Sequence, residues 1–386
     1  MVSFSLNDEQ KMIQDLARDF AREVIRPNAA HYDEIEETPW EIMREAHKLG
    51  LDSYSYPEEF GGGGMTDMLT GMLVAEELAW GCAGIATAIN ATHLCATAID
   101  ACGTEEQRKT YLSMFADPDK LYLGAMGLTE PGAGSDVANI ATTATLQGDE
   151  WVLNGTKRFI TNGGIADVHV IFATTDRSLG WRGIQAFIVE KGTPGLSMGK
   201  KEKKMGVRAS HTAEVILENC RIPKRNLMPG PGGSGGLGAL KMLERTRPGV
   251  GAAALGIARA AFEYALQYAQ ERETMGKPII NHQSIANKLA DMATRIEASR
   301  LLIWKAAWMA NEGMRFTKEA SMAKLFAGDT AMDVTIDAIQ ILGGYGYIRE
   351  YPVEKFARDA KIYQIWEGTA EIQRYVIGKA LQGKLG

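Results

Sequence analysis

One carboxylate stands out by its neighbours. Glu367 lies in the run Ile362-Tyr-Gln-Ile-Trp-Glu-Gly-Thr-Ala-Glu-Ile-Gln-Arg374, between Trp366 and Gly368. A lone glutamate is usually a solvated surface group. In an apolar run, burial would raise its pKa and suit it to act as a base. A second feature is the loop Leu128-Thr-Glu-Pro-Gly-Ala-Gly-Ser-Asp136. Pro131 stiffens it, and Gly132 and Gly134 let the backbone come close to a planar ligand. Thr129 and Ser135 add hydroxyls, and N–H groups near Gly134 can donate. An ordinary β-turn would account for the same string. About thirty residues on, Phe159-Ile-Thr-Asn-Gly-Gly puts an aromatic ring and a hydroxyl at a strand end.

Other chemistries fit the pattern poorly. Gly230, Gly232 and Gly235 spell G-x-G-x-x-G, but Pro229 and Pro231 sit beside and inside it. No parallel strand delivers it to a helix, so it is not a dinucleotide fingerprint. No G-x-x-x-x-G-K-[ST] occurs. The six histidines form no H-E-x-x-H pair, so no metal site is expected. Cys82, Cys95, Cys102 and Cys220 form no CxxC and read as buried, reduced thiols.

The elements that must position these groups fall into three segments. Ile13, Leu16, Phe20 and Val24 recur at helical spacing, with Asn7 and Asp8 near the start and Pro27 marking the end. Trp40–Leu49, Asp67–Trp80 and Gly81–Asp100 also read as helices. The weakly polar stretch Gly81–Ile99 contains Asn90 and His93 and reads as a buried helix, not a membrane span. From about residue 119 the pattern turns to short strands. Trp151–Ile160 reads as strand, turn, strand, with Asn154-Gly155 as a hairpin signature. Val168–Thr174, Ile184–Glu190 and Thr212–Leu217 are further strands. No βα alternation appears, which argues against a Rossmann sheet. Pro229–Gly236 reads as a loop, and Ala-rich or periodic helices follow. The expected fold is therefore α+β and multi-domain. It comprises an N-terminal α-helical domain (1–118), a central antiparallel β-barrel or sandwich domain (119–236) and a C-terminal four-helix bundle (237–386).

Composition agrees. The chain has 386 residues, enough for two or three domains at roughly 150 residues each. Its net charge is 42 − 48 = −6, which argues against a nucleic-acid partner but leaves room for a small anionic ligand held by local cations. There are 42 glycines, about 11% against an average of about 7%. Met1–Gln10 has no basic or apolar leader pattern, so the cytoplasm is the default compartment.

Taken in order, these elements resemble the acyl-CoA dehydrogenase family over essentially the whole chain. The resemblance rests on Leu128–Ser135, Phe159–Gly164, Glu271–Gly276 and Tyr363–Arg374, with Gln340–Gly344 and Glu350–Glu354 in support. The medium- and short-chain members are the most similar in flavour. The resemblance implies FAD and a homotetramer built as a dimer of dimers. It implies that Met126, Leu128, Thr129, Gly134, Ser135, Phe159, Ile160, Thr161, Thr369 and Glu371 contact the flavin of their own subunit. Arg272, Thr274, Gln283, Gln340, Gly343 and Gly344 would reach the ADP part of a neighbour's FAD. A guanidinium at 272 suits a pyrophosphate, although an ion pair with Glu271 or Glu273 would explain it too.

The implied reaction is dehydrogenation of an acyl-CoA to a trans-2-enoyl-CoA. Glu367 would take the α-proton while the β-hydride passes to flavin N5. The base's own backbone N–H would help polarise the thioester oxygen. Electrons would then pass to an electron-transfer flavoprotein. Ser135, Glu244, Thr246, Arg247 and Gly368 would line the path of substrate and CoA. In some branched-chain members the base comes from the helix around Glu244–Arg247, but Thr246 stands at the corresponding position here. Alternatives are an oxygen-using acyl-CoA oxidase and a non-catalytic helical scaffold of the same fold. Three positions depart from the family pattern: Met275 for Phe, Trp366 for Tyr, and Arg349 for a neutral residue.

Overall fold

The computed structural model describes residues 4–384. Residues 1–3, within the stretch read as leaderless, and 385–386, at the end of the third expected domain, lie outside the described residues. The first segment is helical: α1 (Asp8–Phe20), α2 (Arg26–Ile35), α3 (Trp40–Lys48), α4 (Met68–Gly81), α5 (Ala83–Cys102) and α6 (Glu105–Phe115). Asn7 and Gln10 cap α1 reciprocally, each side chain accepting from the other's backbone N–H. A π-helical turn, Ala21–Ile25, carries α1 into α2. Pro27 therefore falls in the first turn of α2 and does not end the helical run, because a missing N–H is harmless there. Helix α5 is largely buried, as its weakly polar sequence suggested. Among the described residues, no helix is long and apolar enough to cross a membrane.

The middle segment holds β1 (Gly124–Gly127), β2 (Thr143–Gln147), β3 (Glu150–Thr161), β4 (Val168–Thr174), β5 (Ile184–Glu190), β6 (Leu196–Lys201), β7 (Thr212–Pro223) and β8 (Leu227–Met228). Their order is β6-β7-β3-β2-β4-β5-β8, with β1 beside β4. Most pairs are antiparallel, but β1 and β2 each meet β4 in parallel. Strands β6 and β8 stand at opposite edges, so the mixed sheet closes no barrel and fits the sandwich alternative.

Asn154-Gly155 is not a hairpin turn. Strand β3 runs straight through it, and the register with β7 slips between Leu153 and Gly155. A Cβ on Gly155 would lie 2.4 Å from Thr142 Oγ1, so the glycine admits a close crossing of chain. The hairpin turn is Gly148-Asp149, which joins the paired Gln147 and Glu150.

The last segment comprises α7 (Gly235–Glu271), α8 (Gln283–Asn311), α9 (Thr317–Leu342), α10 (Val353–Ala360) and α11 (Ala370–Leu381). Helix α9 packs against α7, α8 and α11, forming the helical bundle. Its buried face is mostly small: Ala320, Ala323, Ala327 and Ala331. The glycine-rich run before α7 is not only a loop. Ser234 caps the helix, and Gly235 and Gly236 are already in its first turn. A Cβ on Gly235 would sit 2.5 Å from Ala186 N, so these glycines let α7 start hard against β5. Helix α4 packs on α7 and joins the first segment to the last. All four cysteines are buried and unbridged.

Candidate active site

The turn between α10 and α11 presents Glu367. The chain leaves α10 through a 3-10 turn, Lys361–Gln364, and Ile365 and Trp366 N–H both donate to Ile362 O. Glu367 then takes φ 54 and Gly368 φ 92, both left-handed. For a glutamate that conformation is strained and persists only when its surroundings over-determine it. Thr369 ends the turn by capping α11, accepting from Ile372 N–H at 3.3 Å. Among the described residues, the Glu367 amide donates to no protein group, so it is free for a ligand oxygen.

The carboxylate of Glu367 is held from α7. Thr246 Oγ1 donates to Glu367 Oε2 at 2.8 Å. Burial pushes the Glu367 pKa up; the Thr246 hydroxyl and the charges of Arg247 and Lys324 oppose it. The net direction is upward, which is what a carboxylate needs to act as a base near neutrality. Arg247 is itself buried, with Nη1 at 3.5 Å from Ser321 Oγ and its Nε without a partner. Glu244 faces elsewhere, accepting from Thr317 Oγ1. Thr246, Arg247 and Gly368 therefore gather round Glu367. Trp366 packs edge-on against Tyr363, with ring centroids 5.0 Å apart.

The Leu128–Asp136 loop is anchored beneath and open above. Glu130 and Lys157 form a buried ion pair at 2.6 Å, and Lys157 Nζ also donates to Leu128 O at 3.2 Å. Glu130 further accepts from the Thr142 N–H at 3.0 Å and from the Ala141 N–H. Desolvation works against ionising Glu130, but Lys157 and these donors outweigh it and lower its pKa. Arg158 N–H donates to Thr129 O at 2.8 Å, which ties this loop to the strand carrying Phe159 and Thr161. Phe159 has φ 59 and is 58% exposed, and nothing lies within 4 Å of a Cβ on Gly132 or Gly134. An open glycine loop beside an exposed ring is a fit surface for a planar cofactor. Ser135 is exposed on it and Met126 lies on β1. The side chains of Leu128, just past β1, and Ile160, on an inward position of β3, are buried in the core, so only their backbone is open to a ligand, and Ile160 O already accepts from Gly163 N–H at 3.0 Å.

Arg272, Thr274 and Gly344 line one pocket of about 730 Å³, within the usual range for a ligand site. Tyr268, Tyr345 and Ile348 share its wall. The Arg272 guanidinium lies 5.9 Å from the centre of the Tyr345 ring. Among the described residues Arg272 makes no ion pair, and Glu271 instead accepts from Gln267 at 2.9 Å. An unpaired arginine among aromatic rings fits a diphosphate with a ring attached. Gln283, Gln340 and Gly343 adjoin this wall in sequence without lining the pocket. Met275 is 93% exposed. Glu371 lies in the first turn of α11, where its own backbone N–H and the Thr369 hydroxyl lower its pKa. Arg349 pairs with Glu34 at 3.0 Å.

Sequence reasoning missed Lys324, Gln373 and the Lys157–Glu130 pair. Lys324 had a signal: it interrupts the small-residue stripe Ala320, Ala327, Ala331.

Comparison with known proteins bears on the family of the chain. Family models match residues 7–119 (Acyl-CoA dehydrogenase, N-terminal domain), 125–220 (Acyl-CoA dehydrogenase, middle domain) and 233–382 (Acyl-CoA dehydrogenase, C-terminal domain). The chain is 45% identical to the short-chain specific acyl-CoA dehydrogenase of Clostridium acetobutylicum, covering 97% of this chain and 98% of that one. The butyryl-CoA dehydrogenase structure from Megasphaera elsdenii superposes with a TM-score of 0.95 at 45% identity, covering 99% of this chain and 100% of that one. A solved chain from work on the electron transferring flavoprotein of Acidaminococcus fermentans also reaches 0.95 at 45% identity, covering 98% and 99%.

Proposed function

Because the chain belongs to the acyl-CoA dehydrogenase family, an FAD-dependent group of oxidoreductases, we propose that it dehydrogenates a short acyl-CoA to the trans-2-enoyl-CoA with Glu367 as the base. The observation that carries this reading is the geometry at 367. A carboxylate with a raised pKa, bonded to Thr246, sits on the same residue as a free backbone N–H. A thioester oxygen on that N–H would gather the charge that builds as the α-proton leaves. The α-carbon would then lie within reach of the carboxylate of the same residue. Proton removal and charge stabilisation would thus come from one residue in a fixed turn.

FAD, when bound, supplies the hydride acceptor. Thr129, Gly134, Ser135, Phe159 and Thr161 would hold its flavin, and Arg272, Thr274 and Gly344 the ADP part of a second subunit's FAD. The exposed Met275 and Tyr347 near the Arg272 pocket suit burial by that subunit in a tetramer. The names of the relatives favour a short, straight acyl chain. An electron-transfer flavoprotein as acceptor draws on the Acidaminococcus match. The test is an acyl-CoA panel with an artificial one-electron acceptor, run with and without oxygen. Turnover of C4 substrates that needs the acceptor is expected. Turnover driven by oxygen alone, or none with any acyl-CoA, would overturn the proposal.

A further inference from the structure

We infer that Lys324 is a positioning residue for the base: from α9 it clamps the turn that carries Glu367 and adds a positive charge to the surroundings of the carboxylate. The inference rests on Glu367 being the base. Lys324 is 1% exposed, on a buried helix face made mostly of small residues, among them Ala320, Ser321, Ala327 and Gly328. An ammonium in such a place is costly unless something compensates it. Among the described residues it makes no salt bridge. Its Nζ donates instead to Gly368 O at 2.8 Å. Gln373 Nε2 donates to the same oxygen at 2.9 Å and to Glu367 O at 3.3 Å. Two buried side chains from two helices thus fix successive carbonyls of a turn whose φ angles are unfavourable for a glutamate. Close packing makes the reach possible. One turn along α9, a Cβ on Gly328 would meet Tyr363 O at 2.8 Å.

The charges around the pair are few. Burial pulls the Lys324 pKa down to about 8; Glu367 opposes this first, Arg247 adds to it, and Asp329 and Glu371 oppose it weakly. Asp329 is already engaged by Arg374 at 2.8 Å and Gln364 at 2.7 Å. Glu371 is exposed, and Glu244 acts on Arg247 from its own helix. Glu367 is therefore the main anion that Lys324 faces. A cation there favours the ionised carboxylate, so it offsets part of the rise that burial imposes and keeps the base ready.

The test compares wild type with Lys324→Met, Lys324→Gln and Lys324→Arg as holoenzymes, measuring kcat and KM for butyryl-CoA across pH together with the thermal midpoint. Loss of the charge should move the acidic limb of kcat up by about one pH unit, so that rates below the limb fall about tenfold. KM should stay within about a factor of two, because Lys324 is placed against the turn and not against the ligand. Lys324→Gln keeps a donor but no charge and should shift the limb as Met does; if Met does not fold, it carries the test. Lys324→Arg should return the limb toward wild type. Neutral variants that keep the wild-type limb and lose only thermal stability would overturn the inference while Glu367 stands. A wild type that oxidises no short acyl-CoA would overturn both.

Discussion

Thr246→Val removes one hydroxyl and keeps the shape of the side chain. In the structure that hydroxyl donates to Glu367 Oε2 at 2.8 Å, from a partly buried position on α7. A hydrogen bond to a charged group contributes about 1.5–3 kcal/mol, and one pKa unit corresponds to about 1.4 kcal/mol. The bond stabilises the ionised form, so losing it raises the Glu367 pKa further. The acidic limb of kcat should therefore climb by about one to two pH units. Below the limb the variant should be about ten- to a hundredfold slower. Well above it, the rates should converge, since the base is ionised in both proteins. The assay is steady-state turnover of butyryl-CoA with an artificial acceptor from about pH 5 to 9, with KM followed separately to catch loss of substrate contact. A limb that stays in place, or moves down, would show that the hydroxyl does not govern the base.

Three further perturbations probe the supports. Lys157→Met strands the Glu130 carboxylate in the core and should cost about 3–5 kcal/mol in urea unfolding, while adding Glu130→Gln should recover much of the loss; equal losses in both variants would contradict the pairing. Arg272→Leu should weaken FAD retention about ten- to a hundredfold, measured by flavin fluorescence after dialysis, and unchanged retention would remove Arg272 from the cofactor's site. His47, bonded through Nδ1 to the buried Asp52 at 2.8 Å, has its pKa raised, chiefly by that bond. A raised histidine stabilises the fold fully below the unfolded value of about 6.5 and loses that contribution as pH rises through the folded value. The stability gap between wild type and His47→Gln should therefore shrink as pH rises above about 6.5, and a gap that widens would reverse the assignment.

Periodicity and capping signals made the helices legible. Asn7 and Gln10, Asp67, and the stripe Ile13, Phe20 all lie where local physics puts them. Local signals failed where distant packing decides. Asn154-Gly155 has the letters of a turn, but a glycine is needed there so that Thr142 can approach β3, and that neighbour is invisible in a short window. Gly235 and Gly236 read as loop for the same reason, since their partner β5 lies about fifty residues back. The candidate base was legible because an apolar run flanked it. The small-residue stripe around Lys324 marked it as out of place, but its role was not legible, because a lysine on a helix is ordinarily solvated and only the fold brings α9 under Gly368.

Proton removal by Glu367 can be followed by rapid mixing of FAD-loaded Glu367→Gln with butyryl-CoA, watching the flavin absorbance bleach. The amide keeps the size and the turn but cannot accept a proton. Substrate should still bind, with KM or Kd near wild type, while bleaching slows by about a thousandfold or more, the scale on which general bases act. Bleaching at the wild-type rate would contradict proton removal by Glu367.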